Sequence, residues 1–358
     1  MRLIELHVLQ SFPVSCLNRD DVGSPKTAVF GGVNRARISS QALKRAIREY
    51  AQDNLPEARF GGERTKLIVQ PLAEALKQHG VPEAAAAEHA TNIADKLAKL
   101  DAKSGKDGNL PQVGTLTFLA PSEIDSMAQQ VAALLKDNPK SKDYEKKLDR
   151  FCKDAGLHDG ADIALFGRMA ASLPSLTLEG AAMFSHALST HRSDNDLDFY
   201  SAVDDRKPEG DDAGAGMIGT LEFSSAVYYR YAAINLDLLA DKDHLAKLAI
   251  DERRKVVDAF IRATVLAVPS ARKNSMNANT LPGFVLGLFK STGQPLQLIN
   301  AFENPVRPKA GLLDASIEAL KSHHSKLKDT WGIACDTEVA IPDDTLNAFC
   351  KALTKHAI

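Results

Sequence analysis

Six basic side chains and no acidic one lie between Val22 and Glu49. They are Lys26, Arg35, Arg37, Lys44, Arg45 and Arg48. The formal net charge of the 358-residue chain is −2, so this stretch of +6 leaves −8 on the remainder. Positive charge concentrated in an otherwise acidic protein attracts polyanions, because local potential rather than net charge captures phosphates. The chemistry that these residues predict is phosphate binding, and the polyanion that fits best is nucleic acid.

An amphipathic helix is predicted to present part of this charge. The segment SSQALKRAIREYA begins with Ser39 and Ser40, whose hydroxyls can cap free backbone N–H groups. At 100° per residue, the polar stripe of the helix consists of Gln41, Lys44, Arg45 and Arg48. Phosphates bind at helix N-termini, where N–H groups point outward and the helix dipole adds positive charge. The alternative is a solvated helix face, although such a face normally mixes both signs of charge.

Acidic residues offer a second kind of chemistry, which is metal binding. The alternating aspartates from Asp194 to Asp198 do not continue into an EF-hand, because the required Gly and Glu are missing from the sixth and twelfth positions. The pairs Asp20–Asp21 and Asp204–Asp205 could ligate Mg²⁺, but adjacent residues of a strand point to opposite faces. No P-loop, H-E-x-x-H or G-x-S-x-G motif is present. The motifs therefore predict no enzyme, no cofactor and no metal site.

Aromatic residues stand out in an acidic, glycine-rich segment, residues 192–222, which we call the arm. Its apolar members are Phe199, Tyr200 and Val203. One interpretation is a wedge against nucleobases or against a neighbouring subunit, since base–aromatic stacking contributes about 1–3 kcal/mol. The other interpretation, a local apolar cluster, is left open.

A second basic run precedes residue 154. It contains Lys140, Lys142, Lys146, Lys147, Arg150 and Lys153. Three acidic residues are interspersed among these cations, and Asp154 follows them. The composition favours a solvated helix surface over a second nucleic-acid track.

The composition is that of a globular protein with about two domains, or one domain with a large insertion. Hydrophobic residues make up 44% and charged residues 25% of the chain. No apolar run approaches the roughly 18 residues that a membrane span requires. The four cysteines lie far apart without a C-x-x-C pair, which favours buried thiols in a reducing cytoplasm.

The helices and strands that the sequence predicts around these residues indicate an α+β fold. An apolar strand is expected at residues 2–10, followed by a long loop and the basic helix. Residues 55–159, which we call the insertion, read as several helices. A strand in ADIALFGRMA and a helix in LEGAAMFSHALSTH are predicted before the arm. A strand, a helix, a strand and a C-terminal helix follow it, which gives a ferredoxin-like, split βαβ sheet.

Four strings carry a family resemblance. HVLQSFPVSCLNRDD, AVFGGVNRARISSQALKRAIR, IALFGRMA and AVDD…GTLEFSSAVYYRYAAINL resemble the CasC family, the repeated backbone subunit of the type I-E CRISPR Cascade complex. The similarity is clear from residue 2 to about 235, except in the insertion, and weak beyond. It implies a hand-shaped molecule with an RRM-like palm, helical fingers and a β-hairpin thumb. The palm would comprise residues 1–54, 160–191 and 223–358, the fingers would be the insertion, and the thumb would be the arm.

The resemblance also implies partners and contacts. Several copies would stack head to tail along a CRISPR RNA, together with target DNA and the large, small, end-capping and guide-processing subunits of the complex. The implied palm contacts to RNA are Asn18, Arg19, Lys26, Arg37, Ser39, Ser40, Gln41, Lys44, Arg45 and Arg48. Arg168 and Met169 would meet the guide at a kink, opposite Phe199, Tyr200 and Val203 of a neighbouring copy. The lysines of the insertion, Lys140, Lys142, Lys146 and Lys147, would help to hold target DNA.

Two alternatives accompany this hypothesis of a non-enzymatic guide-binding subunit. The first is a metal-dependent ribonuclease on the same scaffold, with Asp20 or Asp21 as the metal ligand. The second is a protein-interaction module whose basic surface is incidental. Because a guide can have any sequence, binding to shape and phosphates fits the leading hypothesis. The RNP1 aromatic signature of true RRM sheets is missing, which also favours backbone capture over base stacking.

Overall fold

The computed structural model describes residues 1–105, 109–138, 142–202, 217–307 and 311–357. The strands are β1 (Leu3–Ser15), β2 (Thr27–Phe30), β3 (Val33–Ile38), β4 (Glu63–Thr65), β5 (Thr117–Leu119), β6 (Ala182–Phe184), β7 (Ala187–Ser189), β8 (Asp196–Ala202), β9 (Met217–Asn235), β10 (Phe284–Lys290) and β11 (Thr337–Ile341). The helices are α1 (Ser40–Asn54), α2 (Val69–Gln78), α3 (Glu83–Leu97), α4 (Pro121–Asp137), α5 (Leu148–Ala155), α6 (Ala161–Phe166), α7 (Leu236–Leu239), α8 (Ile250–Leu266), α9 (Leu312–Trp331) and α10 (Leu346–Thr354). The predicted α+β class is confirmed.

A large antiparallel sheet forms the centre of the molecule. Its strands follow the order β11-β10-β1-β9-β7-β3-β2, with β6 and β8 also paired to β9. Strand β1 lies in the middle, where Leu3 is paired with Lys290 of β10 and with Asn235 of β9. Its side chains alternate between two covered faces, so every residue from Leu3 to Gln10 is buried, including the polar Glu5 and His7.

Helices cover both faces of this sheet. On one face, Ile4 and Val8 of β1 share a core with Ile47 of α1, Val257 of α8 and Phe349 of α10. On the other face, Leu9 packs in a core with Leu320 of α9 and Phe302. The basic helix α1 is therefore anchored by its apolar side to the same layer as α8.

The insertion has a hydrophobic core of its own. Leu72, Ile93, Val131 and Tyr144 are fully buried among helices α2 to α5. Strands β4 and β5, which the sequence did not predict, pair as a small separate sheet. No helix in the described ranges is both long and apolar enough to cross a bilayer.

The arm contains a β-hairpin. Strand β8 is antiparallel to the first part of β9, from Asp196 opposite Phe223 to Ala202 opposite Met217. Strand β9 is 19 residues long and continues from the hairpin into the main sheet. The hairpin is thus a direct extension of a central strand.

Two adjacent secondary-structure predictions are wrong: a predicted strand is a helix, and the predicted helix after it is a pair of short strands. The first six residues of ADIALFGRMA form α6 instead of a strand, and every one of them is buried. A run that is buried on all sides carries no periodicity that distinguishes a helix from a strand. The predicted helix in LEGAAMFSHALSTH is replaced by β6 and β7, because both segments pair with β9, as Ala182 does with Ile234.

The long loop predicted after the first strand is also partly wrong. Strand β1 continues to Ser15, and β2 and β3 form a hairpin closed at Gly31 and Gly32. Both glycines have positive φ angles of 59° and 74°, a conformation that glycine adopts without steric cost. Helix α9 and strand β11 were not predicted at all.

Candidate nucleic-acid interface

The N-terminus of α1 is capped by the protein itself. Ser39 is the N-cap residue, and its Oγ accepts a hydrogen bond from Ala42 N at 3.3 Å. The N–H of Ser39 donates to Asn18 Oδ1 at 2.8 Å, and that of Ser40 donates to His186 Nδ1 at 3.0 Å. The predicted capping by Ser39 is confirmed. However, the N–H groups of Ser39 and Ser40 are already paired, so they are not open to a phosphate.

A positive field surrounds the start of this helix. Burial lowers the pKa of His186 below its usual 6.5, and the nearby charges of Arg37 and Lys26 lower this pKa further. Arg37 is held in place by a hydrogen bond from its Nε to Thr27 O at 3.0 Å. Gln41, at the first turn, is exposed. The cations Lys26 and Arg37 are therefore brought together, as the sequence predicted for one binding surface.

Three cations lie near one another one helical turn along α1, and two of them stack on the ring of Phe118. The guanidinium of Arg48 lies 4.8 Å and that of Arg64 lies 4.5 Å from the ring centroid. Burial and the charge of Arg48 lower the pKa of Arg64, and burial and the charge of Arg64 lower the pKa of Lys44. Asp162 is the acidic group that offsets them. We call Lys44, Arg48 and Arg64 the cation cluster.

Arg64 was missed by sequence reasoning. It lies on β4, where the acid-free segment has already ended, and Glu63 precedes it. Only the pairing of β4 with β5 places Arg64 opposite Phe118, and so beside the helix. No local signal in the sequence identifies this residue.

Arg48 does not point outward with the rest of the polar stripe. Its Nε lies 2.8 Å from Oδ2 of the fully buried Asp162, and its Nη2 donates to Gly62 O at 2.7 Å. Burial raises the pKa of Asp162, although the charge of Arg48 and the hydrogen bonds of Arg48 and Gly62 counteract this. The prediction of an entirely exposed basic face is therefore wrong at Arg48, which joins α1 to the base of the insertion.

Lys44 is a half-buried member of the cluster whose charged end lies beside an aromatic ring. Its Nζ lies 5.4 Å from the ring centroid of Phe184, and it takes part in none of the ion pairs found among the described residues. Its lowered pKa is a consequence of burial and of Arg64, both of which disfavour its charge. An anion placed here would relieve that repulsion.

Arg45 faces a groove on the other side of α1. It is 79% exposed and pairs with Glu49 at 2.7 Å, so the acid that ends the basic stretch offsets part of its charge. The groove has a volume of about 580 Å³ and is lined by Asn18, Arg19 and Arg45, together with acids that include Asp21. The structure thus brings Asn18, Arg19 and Arg45 together in a mixed-charge groove.

A loop after α8 forms the far wall of the same groove. Pro269, Ser270 and Ala271 line it, and Arg272 follows with a positive φ of 54°. Burial raises the pKa of Cys16, while the charges of Arg272 and Arg19 lower it, which shows that the two cations share this region. Sequence reasoning overlooked this loop, although no Asp or Glu occurs from residue 259 to residue 302.

Arg35 is fully buried and is not part of the basic surface. Its Nη1 donates to Ser189 O at 3.0 Å and its Nη2 to Phe302 O at 2.8 Å, while its Nε donates to Phe30 O at 3.1 Å. All three acceptors are backbone carbonyls: those of Phe30 and Ser189 belong to β2 and β7, and that of Phe302 lies outside the sheet. The expectation that Arg35 contacts a ligand is corrected by this burial: its guanidinium holds the β2–β3 hairpin against the core.

Arg168 is likewise largely enclosed. Its Nη1 lies 2.8 Å from an oxygen of the buried Glu123, and its Nε donates to Leu176 O at 2.8 Å. The neighbouring Met169 is 88% exposed. In this structure Arg168 fixes the backbone from which the side chain of Met169 projects into solvent.

The hairpin of the arm presents apolar side chains to solvent. Leu197 is 72% and Phe199 is 65% exposed, and alternate residues of a strand share one face. Tyr200 lies on the other face, against Gly219. Val203 lies outside the described residues. The alternative of a local cluster therefore does not hold for Phe199.

The lysines of the insertion are exposed, as far as they are described. Lys142, Lys146 and Lys147 are all at the surface, next to the buried Tyr144. Lys140 lies outside the described residues. This placement agrees with the solvated surface that the sequence favoured, and it identifies no second track.

The aspartates of the ribonuclease alternative do not form a metal cluster. Asp20 Oδ1 accepts hydrogen bonds from Val22 N at 3.1 Å and Ser24 N at 2.8 Å, so it stabilises a turn. Among the described residues, the one grouping of at least three His, Cys, Asp or Glu ligand atoms lies elsewhere and includes neither Asp20 nor Asp21. Asp204 and Asp205 are outside the described ranges.

Comparison with known proteins gives consistent matches. A family model described as "CT1975-like protein" matches residues 4–355. A chain from a solved "CRISPR RNA-guided surveillance complex, pre-nicking" is 28% identical, with a TM-score of 0.81 over 99% of this chain and 100% of that one. A chain from a "CRISPR RNA-guided surveillance complex" is 25% identical, with a TM-score of 0.70 over the same shares. Among curated sequences, no relative matches significantly. These likenesses confirm the resemblance to chains of CRISPR surveillance complexes that the sequence motifs indicated.

Proposed function

This chain belongs to the CT1975-like protein family, and from that membership we propose that it is the CRISPR RNA-binding backbone subunit of a Cascade surveillance complex. The structural likeness over the whole chain to subunits of such complexes supports this function. The long motifs that resemble the CasC family support type I-E as its class. In this proposal the subunit acts in the cytoplasm, binds its guide without chemistry, and presents the guide to target DNA.

The cation cluster is the observation that carries the RNA-binding role. Arg48 and Arg64 lie over the ring of Phe118, Lys44 lies near Arg64, and Asp162 is their acidic partner. A backbone phosphate beside Lys44 would offset part of the remaining positive charge, and it would do so for any nucleotide sequence. This is what a subunit that must accept every guide requires.

The central sheet supports a ferredoxin-like palm. The strands β10-β1-β9-β7 are consecutive neighbours in an antiparallel sheet, and α1 and α8 lie together on one face. This arrangement supports a split βαβ unit, with β7 in the place of the strand that the sequence predicted in ADIALFGRMA. In this reading the palm presents its basic surface through α1 and through the loop that follows α8.

The exposed hairpin supports head-to-tail assembly. Leu197 and Phe199 form an apolar patch on a projecting strand pair, and such patches normally mark contacts with another molecule. A second copy of this chain, with Met169 exposed on its surface, provides an apolar counterpart. Because the contact joins two different patches, it extends into a filament along the guide when the rotation does not close. The large, small, end-capping and guide-processing subunits would complete the complex.

Salt-dependent RNA binding tests the proposal. Purified protein should bind a single-stranded RNA and a scrambled RNA of the same length with equal affinity. In Lys44→Ala the slope of log affinity against log salt should fall by about 0.7, the value for one phosphate contact on a single strand. Lys326→Ala, an exposed lysine on α9, is the matched control and should leave the slope unchanged. Equal slopes in the wild type, Lys44→Ala and Lys326→Ala would refute the assignment of Lys44 as a phosphate contact.

Assembly and the absence of catalysis need separate measurements. The mass of the RNA complex should rise in steps as the RNA is lengthened, and Leu197→Ser with Phe199→Ser should limit it to isolated copies. A stepwise series in this variant would contradict the role of the hairpin. Mg²⁺-dependent cleavage of the bound RNA that Asp21→Ala abolishes would replace our proposal with the ribonuclease alternative.

A further inference from the structure

Three side chains with metal-binding atoms converge at the edge of the sheet farthest from the β2–β3 hairpin. His324 belongs to α9, Glu338 belongs to the edge strand β11, and Cys335 lies in the connection between them. One imidazole nitrogen, the thiol sulfur and one carboxylate oxygen all lie within 4.8 Å of one another. His324 Nε2 and Glu338 Oε2 are 3.3 Å apart. Nothing in the proposed RNA-binding role uses these residues.

The donor set and spacing suit zinc. Zinc binds Cys sulfur at about 2.3 Å and His nitrogen or carboxylate oxygen at about 2.0–2.2 Å, in tetrahedral geometry. Tetrahedral ligands at those bond lengths are about 3.3–3.7 Å from each other. The observed distance between His324 Nε2 and Glu338 Oε2 is already in this range. A small movement of Cys335 would bring its sulfur to the same distance from both atoms.

The backbone holds two of these ligands in place. Asp336, between Cys335 and Glu338, donates its N–H to Phe289 O at 2.9 Å. Its carboxylate accepts the N–H of Ser291 at 2.7 Å. Both bonds tie the segment to strand β10 and the residue after it. The cysteine and the glutamate are therefore fixed by the sheet edge and not by a mobile loop.

Access and a fourth ligand are available from solvent. His324 is buried, but it lines a cavity of about 440 Å³ together with Glu338. A water in that cavity can occupy the position that three protein ligands leave open. The ion would reach the site by the same route.

The neighbouring charges show what a metal would displace. Lys328 Nζ lies 3.0 Å from Glu338 Oε2 and now neutralises that carboxylate. Lys290, whose charge acts on Cys335, is paired with Glu5 at 2.5 Å. Zinc with one thiolate and one carboxylate is formally neutral, so binding needs only that Lys328 turns to solvent and that the Cys335 thiol releases its proton.

We propose that His324, Cys335 and Glu338 bind one zinc ion, with a water as the fourth ligand, and that the ion pins α9 to the edge strand β11. The proposal is independent of RNA binding, since the site lies at the opposite end of the sheet from β2.

Cobalt substitution tests the site. The full-length protein, freed of nucleic acid by nuclease and of metal by a chelator, would be titrated with Co²⁺ alone and then with Zn²⁺. We expect one Co²⁺ per chain, with a thiolate charge-transfer band and the visible bands of a tetrahedral site, all lost when zinc is added. Absence of a thiolate band, or binding that zinc does not displace, would overturn the proposal.

Variants make the test specific. Cys335→Ser should abolish the thiolate band, and His324→Gln should weaken zinc binding by more than about tenfold, since loss of even an indirect metal contact costs about 10–100-fold. His323→Gln, the neighbouring histidine outside the site, is the control and should bind zinc like the wild type. Lys328→Gln removes the competitor and should tighten binding. If neither the wild type nor Lys328→Gln binds zinc, the three residues form only a hydrogen-bonded polar cluster and the proposal fails.

Discussion

Replacing Arg48 and Lys44 separately distinguishes a structural cation from a ligand-binding one. The two residues lie one turn apart on α1, and both were predicted to face outward. Arg48 is bonded to the fully buried Asp162 at 2.8 Å and to Gly62 O at 2.7 Å. Lys44 has the ring of Phe184 as its neighbour, at 5.4 Å. Arg48→Ala should therefore reduce folding stability, whereas Lys44→Ala should mainly reduce RNA binding.

The magnitudes follow from these contacts. Removing one partner of a buried ion pair costs about 3–5 kcal/mol, because the remaining charge is left uncompensated. We expect a loss in this range for Arg48→Ala at pH 7. The loss of a partly exposed cation–π contact costs about 0.5–1 kcal/mol, which is the value we expect for Lys44→Ala.

The pH dependence of the Arg48→Ala effect has a definite sign. Burial already raises the pKa of Asp162 above 3.8, and loss of Arg48 removes the strongest influence that lowers it. The folded variant then holds a proton that the unfolded chain releases, so its stability is lost as pH rises through the folded pKa. The difference from the wild type should accordingly shrink as the pH is lowered from 7 to 5.

Urea denaturation at pH 7 and pH 5 measures both effects, and RNA binding over a salt series is measured in parallel. Replacing both partners, as Arg48→Met with Asp162→Leu, should recover most of the stability because no buried charge is left alone. An Arg48→Ala variant with wild-type stability and a reduced salt slope would refute this reasoning and would make Arg48 a phosphate ligand.

Three further predictions concern buried polar groups and one turn. Arg168→Ala leaves its buried carboxylate partner unpaired and should cost about 3–5 kcal/mol in urea denaturation; an unchanged midpoint would contradict a structural role. Burial lowers the pKa of His191 below 6.5, so stability should fall as pH drops below 6.5, by at most about 1.4 kcal/mol per pH unit. His191→Gln should flatten that slope, and identical slopes would count against the assignment. In Gly31→Ala the new Cβ would lie 1.7 Å from Glu303 O, whereas in Gly32→Ala it would meet nothing within 4 Å. Gly31→Ala should therefore lower the melting temperature much more than Gly32→Ala, and equal effects would exclude the close approach as the cause.

Much of the fold was predictable because strong local patterns agree with the final packing. The apolar face of α1 was correctly predicted as one side of a helix. The apolar segments of β1, β9 and β10 were correctly predicted as strands. The exchange of types at α6 and at β6–β7 has one cause. These short segments take their conformation from what surrounds them, namely complete burial in one case and pairing with β9 in the other.

The candidate interface was predicted as a region but not residue by residue. The acid-free stretch identified Lys26, Arg37 and Lys44, which the structure places near its surface. It did not separate them from Arg35 and Arg48, whose partners are distant in sequence: Arg35 donates to a carbonyl 267 residues away and Arg48 pairs with a carboxylate 114 residues away.

The sequence by itself determined where positive charge is concentrated, which helix carries it, and which family the chain resembles. These properties depend on residue types and on short-range periodicity. The tertiary structure decided which of the cations remain available to a ligand, because a long cationic side chain is fixed by whatever carbonyl or carboxylate the fold brings within reach. It also brought Arg64 to Phe118 and joined His324, Cys335 and Glu338, since contacts between separate elements depend on how those elements pack and not on their spacing along the chain.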